Sequence, residues 1–288
     1  MLRPFFPLLA AAALVLTAPG LASAEGKAIA KRNLFGGSCP RCELCGRNLS
    51  SAEFIGANFS GASMVGSSLR SAQFTGSAFV AADLSRADLS SAQIVGSNFS
   101  RANLSQARFR SAQANGVAFV DANLSHADLS DAEAAGANFM RAKMQGAILR
   151  STELNGAILS QVEATGADFR DAAMNHAILN NGRFDGASFR SAELVGAVLM
   201  GSSFAGADFR DANLMRAIIA GVDLSRAKGL SQDQLDEACA DGRTKVPAGL
   251  TTRLACGAVI RIRAPRPPLP IPPGPPAPLR YLTEVAAN

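Results

Sequence analysis

This sequence of 288 residues contains no tryptophan, one tyrosine (Tyr281) and two histidines, and its fourteen prolines crowd toward the two ends. Such a composition is odd for an ordinary globular enzyme and turns attention to repeats. Apolar runs long enough to span a bilayer are missing beyond the first residues. The opening stretch, MLRPFFPLLAAAALVLTAPGLASAEG, has one early positive charge at Arg3, a short apolar run and the small residues Ala22, Ser23 and Ala24. These features predict a secretory signal over residues 1–24, cleaved after Ala24, and a periplasmic or secreted protein that keeps no transmembrane span. No cysteine follows that site, so lipid attachment there is not expected. Charge of one sign is missing as well: residues 44–228 hold 16 Lys and Arg against 16 Asp and Glu. The net charge of +5 therefore lies in the flanks. A neutral middle speaks against a surface that imitates nucleic-acid phosphates and offers no basic patch for nucleic acid itself.

What fills the middle is a five-residue register. Steps of five from Leu44 to Leu224 land on Leu, Phe, Met or Ile at 37 positions without a slip, apart from Ala114, Ala134 and Ala164. Two residues before each stands a small residue, most often Ala. A period of five matches neither the 3.6 of a helix nor the 2 of a strand. It predicts a chain that turns a corner every five residues, with one large and one small side chain pointing inward on each side.

The stretches ANFSGASM, ADLSRADLSSAQ and ANLSHADLSDAE resemble the pentapeptide-repeat family, whose pattern is A-(D/N)-L-x-x. The resemblance covers residues 44–228 and implies an all-β solenoid, a right-handed quadrilateral β-helix with four pentapeptides per coil. Residues twenty apart should then stack. Phe59, Phe79, Phe99, Phe119 and Phe139 form such a column, followed by Leu159, Leu179, Leu199 and Ile219. Coils about 4.8 Å apart give a rod on the order of 43 Å, with room for offset ring stacking. The thin place at Ala114 and Ala134 is expected to be filled by Phe109, Phe119 or Phe139 leaning across.

Around this rod the chain divides into a lead-in over 25–43, a C-terminal cap over 229–260 and a Pro-rich tail over 261–288. In the cap, Ser231 and Gln234 make a capping box, Leu230 and Leu235 a hydrophobic staple, and Gly242 a stop, which predicts a helix over 231–241. This cap resembles a segment common in exported members of the family. The tail holds nine prolines in residues 264–278 and predicts extended, solvated polyproline structure, with docking to another envelope protein as the alternative role.

Five cysteines carry weight in an oxidising compartment. Cys239 and Cys256 flank a short loop and are expected to form a disulfide that staples the cap. Among Cys39, Cys42 and Cys45 one pair and one free thiol are expected. CPRC has the spacing of a redox motif but not the surrounding strand and helix alternation, no histidine follows it to bind haem, and a metal site would lack a fourth ligand. His126 and His176 lie fifty residues apart, not a multiple of twenty, so they cannot stack as a pair; they are read as exposed corner residues. With no inserted loop to build a cleft, neither catalysis nor a cofactor is expected.

Two surface columns stand out. Arg150, Arg170, Arg190 and Arg210 should stack as a ladder that repels unless neutralised by Asp168, Asp171, Asp208, Asp211, Glu153 or Glu193. It is either a mixed-charge face or a site for an anionic envelope polymer. On the opposite side Ile158, Ile178, Val198 and Ile218 form an outward stripe, extended by Met200 and Ala220, which predicts cover by residues 246–262 or by a second subunit. Together these features predict a non-enzymatic exported scaffold or protein-interaction module of the cell envelope. Some pentapeptide-repeat proteins instead mimic DNA and bind DNA gyrase; the neutral rod and the signal speak against that alternative.

Overall fold

The computed structural model describes residues 34–35 and 39–253. The signal segment, most of the lead-in, Cys256 and the Pro-rich tail lie outside the described residues.

Parallel bridges link residues twenty apart from Glu43↔Ser63 to Asp208↔Lys228, one on each of four sides per coil. We number the faces by inward residues of one coil: Leu84 on face 1, Leu89 on face 2, Ile94 on face 3 and Phe99 on face 4. The register reaches back past Leu44, because β1 (Leu34–Phe35) already pairs in parallel with β2 (Phe54–Ile55), Leu34 opposite Phe54. The Cys39–Cys45 cluster thus belongs to the first coil and not to a separate lead-in.

Each pentapeptide makes the same three moves. The large residue and the small residue two before it point in and are buried along nearly the whole rod. The residue between them bridges to the neighbouring coils and points out. The two residues that follow form the corner, the second in the left-handed region: Ser91 has φ 57° and Gly96 φ 65°. The D/N of the motif has a physical task here. Its side chain accepts the corner N–H two residues on, as Asn58 does from Ser60 at 3.0 Å and Asp83 from Ser85 at 2.9 Å. Where the small inward residue is polar it is satisfied internally. Ser77 Oγ donates to the Phe54 carbonyl at 2.8 Å and accepts the Ala57 N–H at 3.1 Å.

The core is one continuous stack. On face 4 the rings from Phe59 to Phe139 follow one another at centroid distances of 5.2, 4.5, 5.6 and 5.0 Å, all near parallel. Phe169, Phe189 and Phe209 repeat this on face 2 at 5.1 Å per step. In the coil that holds Ala114, Phe109 reaches across edge-on to Phe99 and Phe119, at 6.3 and 6.0 Å; above it Phe139 stacks on Phe119 at 5.0 Å, and Ala114 and Ala134 are both fully buried.

The cap helix α1 (Gln232–Glu237) is shorter than the sequence predicts, and Gly242 does not end it. The chain leaves α1 at Ala238 in extended conformation because Cys239 must pair with Ile218, and Lys245 then pairs with Asp223. The spacing has grown from twenty to 21 and 22, so α1 stands in for face 3 of a last coil. Leu235 is fully buried beneath it, and Val246 and Leu250 pack on the end of the core.

Candidate functional site

Among the described residues no helix is long and apolar enough to cross a membrane, and no three His, Cys, Asp or Glu side chains could share a metal ion. What the rod offers is four long faces and two corner grooves near its C-terminal end. One groove is lined by Gly201, Ser203, Gly221, Asp223 and Arg226, the other by Asp211, Met215, Gln234 and Glu237. Both are open to solvent and assemble no nucleophile with a base.

The Arg column on face 2 is neutralised by its neighbours. Arg150 pairs with Asp168, one coil up and two residues back, and Arg170 pairs with the same carboxylate at 2.8 Å. Arg210 pairs with Asp208, and lower down Arg70 and Arg110 pair with Asp88 and Asp128 at 3.1 and 3.2 Å. The Arg210 guanidinium, with the backbone N–H of Arg210 and the charge of Arg190, holds the Asp208 carboxyl below the usual range against partial desolvation. Asp171 and Asp211, adjacent in sequence, form none of these pairs: they occupy the second corner position, where positive φ turns the chain away from the face. Arg190 alone of the four lacks a carboxylate at ion-pair distance among the described residues. The column is a mixed-charge lattice, which leaves little free cation for an anionic polymer.

On face 4 the stripe is in place. Ile158, Ile178, Val198 and Ile218 bridge in series, and Cys239 continues the column above Ile218. Ile178 is 36% exposed and the others are half-buried. Residues 246–253 do not cover it. They lie against the cap, where Thr251 binds Gln232 and Arg253 pairs with Asp236 at 3.0 Å; residues 254–262 lie outside the described residues. Sequence reasoning missed the neighbouring corner column, in which Ile55 and Met215 are 44% and 43% exposed and Val95 is exposed as well. Taking every residue of each corner modulo twenty would have found it.

Cys39 and Cys42 stand at disulfide distance, with Cα atoms 5.5 Å apart, and Cys45 is an exposed thiol beside Ser63 Oγ. Cys239 is half-buried; its expected partner Cys256 lies outside the described residues. His126 and His176 are exposed at corners, each with its ring lying over the glycine of the next coil, Gly146 and Gly196.

Comparison with known proteins agrees with this geometry. The family description "Pentapeptide repeat region" matches residues 82–159, and "Pentapeptide repeats (8 copies)" matches 48–86, 167–204 and 192–228. The chain belongs to the pentapeptide-repeat family, and its rod is a right-handed quadrilateral β-helix. No curated protein sequence matches it. Among solved structures it is similar to HetL, a pentapeptide repeat protein involved in heterocyst differentiation regulation from the cyanobacterium Nostoc, with 28% identity, TM-score 0.62, and 78% of this chain and 94% of HetL covered. A pentapeptide repeat protein of the Arabidopsis thaliana thylakoid lumen shares 33% identity over 35% of this chain and 68% of its own, with TM-score 0.27. QnrB1, a plasmid-mediated fluoroquinolone resistance protein, shares 21% identity over 74% and 93%, with TM-score 0.27.

Proposed function

We propose that this chain is a non-enzymatic, exported scaffold that binds other proteins of the cell envelope through the side of its rod. One observation carries the reading. On face 4 the outward position holds Asn58, Asn98 and Asn138 lower down, each bonded to its corner N–H, and then four consecutive aliphatic rungs, Ile158, Ile178, Val198 and Ile218. Each rung thereby gives up the side-chain acceptor for its corner N–H, a bond of about 0.5–1.5 kcal/mol elsewhere in the rod. Aliphatic side chains that replace a structural hydrogen bond on an open face are accounted for by contact with another surface. Interaction proteins build such faces, whereas an enzyme needs a pocket with convergent titratable groups. Export rests on the N-terminal segment, and an oxidising compartment suits a disulfide between Cys39 and Cys42.

The test has two arms. Mass spectrometry of the protein recovered from an envelope fraction should find a mature N-terminus at Glu25; an intact Met1 in the cytosol would overturn export. Capture of envelope proteins by the mature chain should be lost on Ile178→Asp and unaffected by Arg190→Ser. Equal capture by both variants and the parent would overturn the interaction reading.

A further inference from the structure

The stripe is part of a larger feature. The outward column of face 4 runs Asn58, Ala78, Asn98, Ala118, Asn138, Ile158, Ile178, Val198, Ile218 and contains no charged residue. The other three outward columns all do: Asp83, Lys143 and Glu163 on face 1, Asp88, Arg108 and Asp128 on face 2, Glu53, Glu133 and Glu153 on face 3. The corner column that leads into face 4, from Ile55 to Met215, is also free of charge, and so is the one that leaves it, from Ser60 to Ala220. These three columns carry none of the 32 charges of residues 44–228; the second position of the leading corner, which runs from Gly56 to Arg216 between the Ile55 column and face 4, is glycine in seven of nine coils and carries one charge, Arg216, at its C-terminal end. The exposed large hydrophobic residues of the described chain, Ile55, Val95, Ile178 and Met215, all lie on this side.

We propose that face 4 is the contact of a parallel, side-by-side homodimer, with the two-fold axis running along the rods. Three features select a second copy as the occupant. The first is pitch. Side chains on this face repeat about every 4.8 Å along the rod, a spacing that stacked strands share and that an α-helix, at 5.4 Å per turn, does not. The second is self-complementarity. A parallel two-fold sets each rung against itself, so Ile178 meets Ile178 and Asn98 meets Asn98, whose amides can bond each other. It also brings Val195 of the leading corner against Met200 of the trailing corner, and Met215 against Ala220. An antiparallel pair would either set the aliphatic rungs against Asn58 and Asn98 or overlap by only half a rod. The third is area. Eight steps of about 4.8 Å by a face about 13 Å wide project to about 500 Å² per copy, or about 1,000 Å² in all. That is the size of a weak, reversible contact, and parallel alignment is the arrangement that uses all of it.

This inference deepens the interaction reading above and rests on the same face, but its test needs no envelope partner. The mature full chain, with Cys45→Ser to silence the exposed thiol, is followed by sedimentation velocity between about 5 and 300 µM. The expected result is a concentration-dependent shift from monomer to dimer. Ile178→Asp should weaken the dimer about tenfold or more, since each dimer carries the change twice, and Met215→Glu at the corner should act in the same direction. Circular dichroism of both variants checks that the rod is intact. Parallel geometry is tested with Ala118→Cys, which should be joined to its counterpart by a short bismaleimide, while Arg108→Cys on face 2 should not. A monomer at every concentration, a dimer indifferent to both substitutions, or cross-linking through Arg108→Cys but not Ala118→Cys would overturn the proposal. Dimer failure together with retained, Ile178-dependent capture of an envelope protein would overturn self-association and leave the interaction reading standing.

Discussion

Gln234 holds the end of the solenoid in a way that separates two chemically similar substitutions. Its Oε1 accepts the Ser231 N–H at 2.8 Å, one half of the capping box that starts α1. Its Nε2 donates to the Phe209 and Ala212 carbonyls at 2.9 and 2.7 Å, carbonyls of the coil directly below the cap. Glutamate serves the capping box equally well, and on helix grounds alone Gln234→Glu is neutral. It cannot donate. A carboxylate would leave the half-buried Ala212 carbonyl without a partner, leave Phe209 only the Ala212 N–H, and set a negative charge against both carbonyls, a cost of about 2–4 kcal/mol. Gln234→Ala loses all three bonds but adds no repulsion, so Glu is expected to be at least as damaging as Ala. Hydrogen exchange over residues 205–240 should show faster opening of the last coil in both variants. Because the neutral acid is favoured in the folded state, the carboxyl of Gln234→Glu is raised there, and stability should recover as pH falls from 7 to 5. A Gln234→Glu protein that exchanges like the parent at pH 7 would refute this account of the cap.

Three further outcomes are expected. Phe99→Ala should cost about 3–5 kcal/mol in chemical denaturation, since it removes a ring stacked at 4.5 Å on Phe79 and touched edge-on by Phe109; Asn98→Ala next to it should cost less than about 1.5 kcal/mol. Partial desolvation of Asp241 is outweighed by the N–H groups of Arg243 and Gly221 and the Arg243 and Thr244 side chains, so its carboxyl is held at about 2; Asp223, bonded by Ser225 and Lys245, is held at about 2 as well. Both values lie below the ordinary 3.8, so their contribution to the cap is complete above about pH 4 and lost as pH falls toward 2, and Asp241→Asn should flatten that acid limb in a melting series. Gly146→Ala should destabilise more than Gly136→Ala: both have positive φ, but an added Cβ at 146 would stand 2.7 Å from His126 Nδ1 while 136 is open. Equal melting temperatures for the two would count against ring-on-glycine packing at the corner.

Much of this architecture is legible because the rod repeats one local solution. The large residue at every fifth position and the Ala two before it fix which side chains point in, and stacking at twenty follows once four corners close a coil. Ser231 and Gln234 announced the start of α1 for the same local reason. Its end was not legible. Nothing between Gln232 and Gly242 breaks a helix, and the stop comes from the pairing of Cys239 with Ile218, a contact across the fold. Of the carboxylates expected to neutralise the Arg column, Asp168 and Asp208 do so, whereas Asp171 and Asp211 do not. Asp171 is next to Arg170 in sequence, but it occupies the corner residue at φ 57° and turns away, whereas Asp168 two residues back shares the outward side of the face. The apolar stripe was visible as one column. Its full extent needed the two flanking corners, whose residues are separated in sequence by the buried positions between them.

A solenoid of this kind uncouples its sides from one another. In a globular domain a surface substitution shares neighbours with loops and elements that differ along the chain, but here an outward residue meets chiefly the residues twenty before and twenty after it, and the corners next to it. The core does not share this freedom: where face 4 changes from Phe139 to Leu159, face 2 changes from Leu149 to Phe169, so that ring volume is exchanged across the coil, while the outward residue of face 4 turns aliphatic at residue 158 and face 2 keeps its ion pair at Asp168. Each face can be written as a separate message of one residue per 4.8 Å. The mixed ion pairs of face 2 and the amide ladder of face 1, where Asn123 donates to Asn103 and Asn103 to Asp83, are self-satisfied within the chain. Face 4 is the one whose aliphatic rungs forgo the motif's own hydrogen bond and whose polar rungs sit among uncharged neighbours. A side whose outward column is uncharged and ends in four aliphatic rungs, among three sides that carry charge, is the side on which to look for the partner.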